Sequence, residues 1–377
     1  MSNNKVVPFN DLSRIHLPLI DNFIGDLTRL VKSSSLVLGQ EVADFEQEIA
    51  LMEGCAFAIG VSNGTTAIEL ALRALDIGEG DEVITTAFTF VATSFSILQT
   101  GAIPVLVDID PLTGLLDPKK VERVITPKTK ALVFVTLHGR VENLDQLQQI
   151  CNSNNLRFII DAAQSHLGTF KGRPQSDFCD AATLSFYPGK NLGALGEGGV
   201  VLTNLKVVKE KVLLMRDWGA SEKYEHKSWG GNFRLESLQA AFLRTKLRRL
   251  KAWTRERERI ANIYRQTLNS NCLMKSITQD SSHVFHVFSI VAGNRNKLCD
   301  YLNENQIGFG FHYPRAIHEQ PAYSKRVSIP NSLSNAENLA KATISLPLFP
   351  GMSDNEINIV IEKVNRGLKN DKFAIKD

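Results

Sequence analysis

The chain has 377 residues, 43% hydrophobic and 22% charged, with 43 basic against 40 acidic side chains and a net charge of +3. That length suits two domains, or one large α/β domain with an appendage, and the balanced charge offers no footprint for nucleic acid or an anionic membrane. The cysteines (Cys55, Cys151, Cys179, Cys272, Cys299) lack CxxC spacing and read as reduced structural thiols of a cytoplasmic protein, the amino terminus has no apolar signal core, and no run of about 18 apolar residues suggests a membrane span.

Leu19, Ile20, Phe23, Ile24, Leu27 and Leu30 recur at helical spacing and predict a helix over 17–32. Residues 34–39 break the pattern, and 41–52 resume it with Val42, Phe45, Ile49 and Met52. From Phe57 onward, short apolar runs alternate with helical patterns. Strands are expected at 56–61, 82–86, 104–108, 131–135, 157–161, 180–185 and 199–203, with helices at 67–75, 89–100 and 144–152. This alternation implies an α/β fold with a mostly parallel sheet covered on both faces. Residues 205–217 read as a helix, and the polar, aromatic, Gly-rich stretch 218–231 as a long loop. A helix over 236–268 is rich in Arg and Lys, but Glu256 and Glu258 interrupt the basic run, so it reads as a solvated face. Strand 284–291, helix 297–305, strand 309–313 and helices 334–343 and 354–367 form a small α+β unit. The domain boundary is placed inside the long helix, giving 1–248 and 249–377, and 370–377 read as frayed.

Three loops follow expected parallel strands, where open α/β sheets hold ligands. In Ser62-Asn63-Gly64-Thr65-Thr66, hydroxyls and free N–H groups at a helix start suit a phosphate, although a plain Ser or Thr cap has the same appearance. Asp161, in Asp161-Ala-Ala-Gln164-Ser-His166, ends an apolar strand. A carboxylate there needs a partner, such as a protonated pyridine nitrogen, unless it merely caps the next turn. His166 is a catalytic option, or a structural histidine. The third loop, Ser185–Gly199, holds five glycines and a single lysine, Lys190, behind Pro188-Gly189. A lysine on a tight turn suits Schiff-base chemistry, because its site can depress the amine's pKa. Ser185 is near enough to help hold a phosphate, and Phe88 or Phe90 could stack on a flat ring if they do not pack the core. HExxH, GxSxG, Walker A and GxGxxG signatures are absent, which lowers the standing of metalloprotease, hydrolase, NTPase and dinucleotide readings.

The segments SNGTTAIELALRAL, GDEVITTAFTFVAT, DAAQSH, LSFYPGKNLGALGEGG, GGNFRLESLQAA, GFHYPRAIHEQPAY and SLPLFPGMSD occur in that order. The series resembles the DegT/StrS nucleotide-sugar aminotransferases, fold-type I enzymes dependent on pyridoxal 5'-phosphate (PLP), over nearly the whole chain. The resemblance implies a large domain with a seven-stranded-type sheet and a smaller C-terminal domain. It casts Lys190 as the Schiff-base lysine and proton shuttle, Asp161 as partner of the pyridinium nitrogen, Gln164 as the contact to the ring hydroxyl face and Phe90 as the stacking ring. Gly64, Thr65 and Ser185 match the phosphate cradle. Asn232 matches an asparagine that reaches the neighbouring subunit's cofactor, which implies a homodimer with shared sites. His312, Tyr313 and His318 fall where the family closes over the nucleotide sugar.

The form Phe-Tyr-Pro-Gly-Lys-Asn-Leu-Gly-Ala is similar to enzymes that aminate C3 of dTDP-3-keto-6-deoxyhexoses, with L-glutamate as donor and PLP cycling through its amino form, PMP. C4 amination, a UDP-linked sugar, a PLP-dependent sugar dehydratase and a non-catalytic regulator are the alternatives. Dehydratase members usually carry histidine in place of the lysine, and a regulator would be expected to lose Lys190 or Asp161. Thr136, Arg140, Trp218 and Trp229 depart from the usual family pattern.

Overall fold

The computed structural model describes residues 6–369; the frayed end expected at 370–377 lies outside them. Seven strands build the central sheet: β1 (Phe57–Val61), β2 (Glu82–Thr86), β3 (Ile103–Val107), β4 (Thr129–Val135), β5 (Arg157–Asp161), β6 (Ala181–Ser185) and β7 (Gly199–Thr203). Their order is β1-β7-β6-β5-β4-β2-β3. Only β7 runs against its neighbours, pairing antiparallel with both β1 and β6, and the other pairs are parallel. The fold-type I expectation is met.

Alternation along each strand decides which face a side chain joins. Leu132, Phe134, Phe158, Ile160 and Leu184 belong to one apolar cluster, and Ala131, Val133, Ile159 and Ala181 to another. Helices α1 (Ile20–Ser33), α2 (Gln40–Glu53), α3 (Gly64–Ala74), α4 (Val91–Gln99) and α5 (Leu144–Ser153) precede or interleave the strands, and α6 (Lys206–Arg216) follows them. In α2, Val42, Phe45 and Ile49 enter the first cluster; in α3, Ala67, Ile68, Leu70 and Ala71 enter the second.

The long helix α7 (Ser237–Thr267) joins two cores. Its Leu243, Leu247 and Leu250 belong to the first cluster, and its Ile260, Ala261 and Tyr264 to a third that includes Phe288, Leu302 and Val360. We propose that the two units, 1–248 and 249–377, meet along this helix. Its basic run is not simply a solvated face. Arg248, Arg249, Lys251, Arg255 and Arg259 are exposed, but Lys246 and Arg257 are buried.

The C-terminal part differs from expectation in detail. No strand forms at 309–313, where Gly310 makes only an isolated bridge to Ser345. Instead β8 (Phe288–Val291) pairs antiparallel with β9 (Thr343–Leu346), of which only Thr343 falls in the helix expected over 334–343 and the rest lies in a stretch with no expected element. The strand expected from 284 begins only at Phe288, because Phe285 takes a positive φ of 46°. The 218–231 stretch contains a short hairpin, Ala220–Glu222 against Glu225–His226. Helices α8 (Arg295–Glu304), α9 (Ser334–Ala342) and α10 (Asp354–Gly367) complete the unit.

The amino-terminal segment is fastened to α10. Arg14 Nη1 and Nη2 donate to the Glu356 carboxylate at 2.8 and 2.6 Å, and Glu356 also accepts from Ser353 N–H and Oγ as part of a capping box. The hydrogen bond from Arg14, with help from Ser353, holds the Glu356 pKa down at about 2 against a usual 4.5. A depressed carboxyl pKa stabilises the fold above its unfolded value, and that stabilisation is lost as pH falls through the folded value. Glu356→Gln should therefore be less stable than wild type near neutral pH, with the gap shrinking from pH 4.5 toward about 2. Denaturant titrations across that range would show it; a gap independent of pH would contradict the assignment.

Candidate active site

The carboxyl ends of β1, β2, β4, β5 and β6 open onto one cavity of about 1120 Å³. Gly64, Thr65, Phe90, Asp161, Gln164, Ser185, Lys190, His312 and Tyr313 all line it, so nine of the residues singled out from sequence meet there. Two do not. His318 lies in the 3-10 turn Ile317–Glu319, where its Nε2 pairs with Glu337 at 3.0 Å, away from the cavity lining. Asn232 is exposed and bridges to Asp217, also outside the lining.

Asp161 is buried at the last position of β5. Its Oδ2 accepts from Thr93 Oγ1 at 2.8 Å and its Oδ1 from Ala163 N–H at 3.2 Å. Burial raises its pKa, opposed by those two hydrogen bonds and by the charge of Lys190. Lys190 is in turn lowered to about 8 by its crowded surroundings, with Asp161 pulling the other way. The pair therefore offers an amine that is partly neutral near physiological pH and a carboxylate that still has room for a cationic partner.

The phosphate-sized corner is formed where α3 begins. Asn63 is its cap, its side chain accepting from Thr66 N–H at 2.9 Å, so the cap is neither Ser62 nor Thr65. Gly64 and Thr65 are then the first helical residues, whose N–H groups have no acceptor within the helix. Gly64 packs so closely on β6 that a Cβ there would lie 2.6 Å from the Ser185 Cβ. Phe90 lines the cavity at 53% exposure, and its centroid is 5.5 Å from that of Tyr313. Gln164 is held at both ends: Oε1 accepts from His138 N–H at 2.6 Å, and Nε2 donates to Tyr313 Oη at 3.0 Å. A carboxylate, a lysine, an exposed aromatic ring and an anion-binding helix start in one cavity are the donor set that PLP requires, and the residues fit it.

Some residues were missed from sequence. Thr93 sits on α4 beside Ser94 and Ser96, so nothing in the sequence set it apart from its hydroxyl-bearing neighbours. Asn63, Tyr187, Glu197, Arg257 and His286 also line the cavity. His166 does not; it is buried with its ring 5.9 Å from Phe186. The departures from the family pattern are likewise outside the lining. Thr136 Oγ1 bonds Ser165 Oγ at 2.6 Å, Arg140 pairs with Glu142 at 2.7 Å, and Arg73 lies 4.1 Å over the exposed Trp229 ring.

The family model for DegT/DnrJ/EryC1/StrS aminotransferases matches residues 19–365. A pleiotropic regulatory protein of Geobacillus stearothermophilus is 38% identical, over 95% of this chain and 97% of its own. The dTDP-3-amino-3,6-dideoxy-alpha-D-galactopyranose transaminase of Aneurinibacillus thermoaerophilus is 39% identical, over 96% of this chain and 99% of its own. The crystal structure of S. venezuelae DesV superposes with a TM-score of 0.92 at 35% identity, covering 96% of this chain and 98% of that one. Relatives named for UDP-linked sugars occur as well.

Two outcomes are expected at this site. Gly64→Ala should force α3 away from Ser185 and weaken PLP binding by about tenfold or more, read by absorbance titration of the apoprotein. Unchanged affinity would place the phosphate elsewhere. The rate at which wild-type apoprotein captures PLP should rise with pH around a midpoint of about 8, since only the neutral Lys190 amine attacks. A midpoint near the 10.5 of an ordinary lysine would refute that environment.

Proposed function

The chain belongs to the DegT/DnrJ/EryC1/StrS aminotransferase family, and from that premise we propose that it moves an amino group from L-glutamate to C3 of a dTDP-linked keto-6-deoxyhexose. The observation that carries this reading is the placement of Lys190 and Asp161 in one cavity with Gly64, Thr65, Phe90 and Ser185. PLP is the cofactor, and when bound it supplies the carbonyl that takes up the amino group and the ring that stabilises charge at the reacting carbon.

The chain's own residues then divide the work. The Lys190 amine would take the proton from the donor's Cα and deliver it to C4′ of the cofactor. Asp161 holds a proton on the ring nitrogen, and Thr93 fixes the orientation of that carboxylate. Phe90 covers one ring face, while Gly64, Thr65 and Ser185 cradle the phosphate. Gln164, tied to His138 and Tyr313, sets the position of the ring's edge. His312 and Tyr313 stand on the sugar side of the cavity. The Tyr-Pro-Gly-Lys-Asn sequence and the name of the Aneurinibacillus relative support C3 and dTDP. The names of the UDP-sugar relatives support the same chemistry on a UDP-linked substrate as the second reading.

We also place two chains in the working enzyme. Asn232 lies on the outer surface, where it is available to a neighbour's cofactor. On α1, Ile20, Ile24, Leu27 and Val31 are exposed and follow one another at spacings of four, three and four residues, an apolar stripe suited to a second copy.

Incubating the holoenzyme with L-glutamate and a panel of dTDP- and UDP-linked keto sugars should yield an amino sugar, detected by mass spectrometry. Lys190→Ala should abolish turnover while keeping the fold. Loss of oxygen without gain of nitrogen, or specific DNA binding with no transfer, would overturn the proposal. Ile24→Asp should shift the chain toward monomers in sedimentation velocity; a wild-type monomer would remove the shared site.

A further inference from the structure

We propose that Arg257 is the anchor for a carboxylate of the amino donor. This rests on the aminotransferase reading above and adds the residue that recognises the donor. The side chain is 4% exposed, yet it lines the same cavity as Lys190. Among the described residues it is the only arginine in that lining, and no carboxylate is in salt-bridge contact with it. Its Nη1 donates to three backbone carbonyls, Leu348 at 3.0 Å and Phe285 and His286 at 3.3 Å, while its Nε is buried without a partner.

Carbonyl oxygens fix the guanidinium in place but do not neutralise it. A buried cation without a counter-ion is costly unless an anion arrives from outside. The phosphate-binding groups are on the α3 and β6 side of the cavity, at Gly64, Thr65 and Ser185. Arg257 comes instead from α7, among His286, Val287, Leu346 and Leu348 of the C-terminal unit, which also line the cavity. A group so little exposed suits a small planar anion better than a diphosphate carrying a nucleoside. A carboxylate matches the guanidinium fork in shape and charge. The amino donor brings such a group, and the keto sugar as proposed does not.

The test separates the two half-reactions of the holoenzyme. With Arg257→Gln, kcat/KM for L-glutamate should fall by about 100-fold, mainly through KM, while the amino-form enzyme reacts with the keto sugar within about threefold of wild type. Arg257→Lys should recover part of the loss. In wild type, glutarate should compete with glutamate and shift the cofactor absorbance band, and it should not do so in Arg257→Gln. Equal losses in both half-reactions, or an unchanged KM for glutamate, would overturn the assignment. If Arg257→Gln does not fold, the glutarate titration of wild type decides: competition with the keto sugar but not with glutamate overturns the proposal. Absence of transfer from any amino acid in wild type would instead defeat the aminotransferase reading itself.

Discussion

A carboxylate at the end of a buried parallel strand sets the terms for the whole site. Asp161 stands in register with Val135 on one side and Thr183 on the other, so its backbone is fixed by the sheet. Its side chain cannot retreat to water. Burial favours the neutral acid, whereas Thr93, the Ala163 N–H and Lys190 favour the anion. The same low-dielectric environment pushes the Lys190 amine toward neutrality while Asp161 holds it back. Each group is the other's partial remedy. A cationic group bound beside Asp161 would replace that remedy and free the amine from it, a division of labour open to an acid and an amine that face one space.

The loop carrying Lys190 is rich in glycine but well fastened. Phe186 N–H donates to Gly198 O at 2.8 Å, Ala194 N–H to Phe186 O at 2.7 Å and Lys190 N–H to Tyr187 O at 2.8 Å. A Cβ on Gly193 would sit 2.2 Å from Pro188 O, so the absence of a side chain there lets the loop close on itself. From beneath, the buried Lys246 of α7 donates to Gly193 O, and its Nζ is 3.0 Å from His16 Nε2. Phe186 packs edge-on to Phe45, with centroids 5.4 Å apart. The peptide that bears Lys190 is thus held by these bonds and by Phe186, Leu192 and Ala194 in one core, which leaves freedom to the lysine side chain.

Much of this was legible in the sequence, for physical reasons that also mark where legibility stopped. A parallel sheet covered on both faces gives short, continuous apolar runs, so its strands stood out, as did the loops after β1, β5 and β6. The strand Thr343–Leu346 did not, because four residues directly after a helix carry no punctuation of their own. The segment around His312 alternates like a strand but has one bridge in place of a ladder. His318 shared the motif of His312 and Tyr313, yet the intervening turn directs it to Glu337. Thr93 acts through a hydrogen bond to Asp161, a group brought near by tertiary structure, which composition does not encode, whereas the Asn63 cap on Thr66 N–H is local and was open to a sequence reading.

The basic run of α7 shows the same limit from the opposite side. Counted as charge, Arg255, Arg257 and Arg259 look alike. On a helix, residues two apart are about 200° apart, so Arg255 and Arg259 share the solvent while Arg257 turns inward. Lys246, Leu250, Thr254, Arg257, Ala261 and Tyr264 are all buried and follow at spacings of three or four, a single stripe. Two cations on the core-facing stripe of a helix break the binary pattern, and such violations persist where something offsets their cost. For Lys246 that offset is the Gly193 carbonyl. For Arg257 three carbonyls meet only part of it, and a ligand carboxylate would supply the remainder. Helical phase, rather than net charge, was the signal in the sequence that could have separated these two from their solvated neighbours.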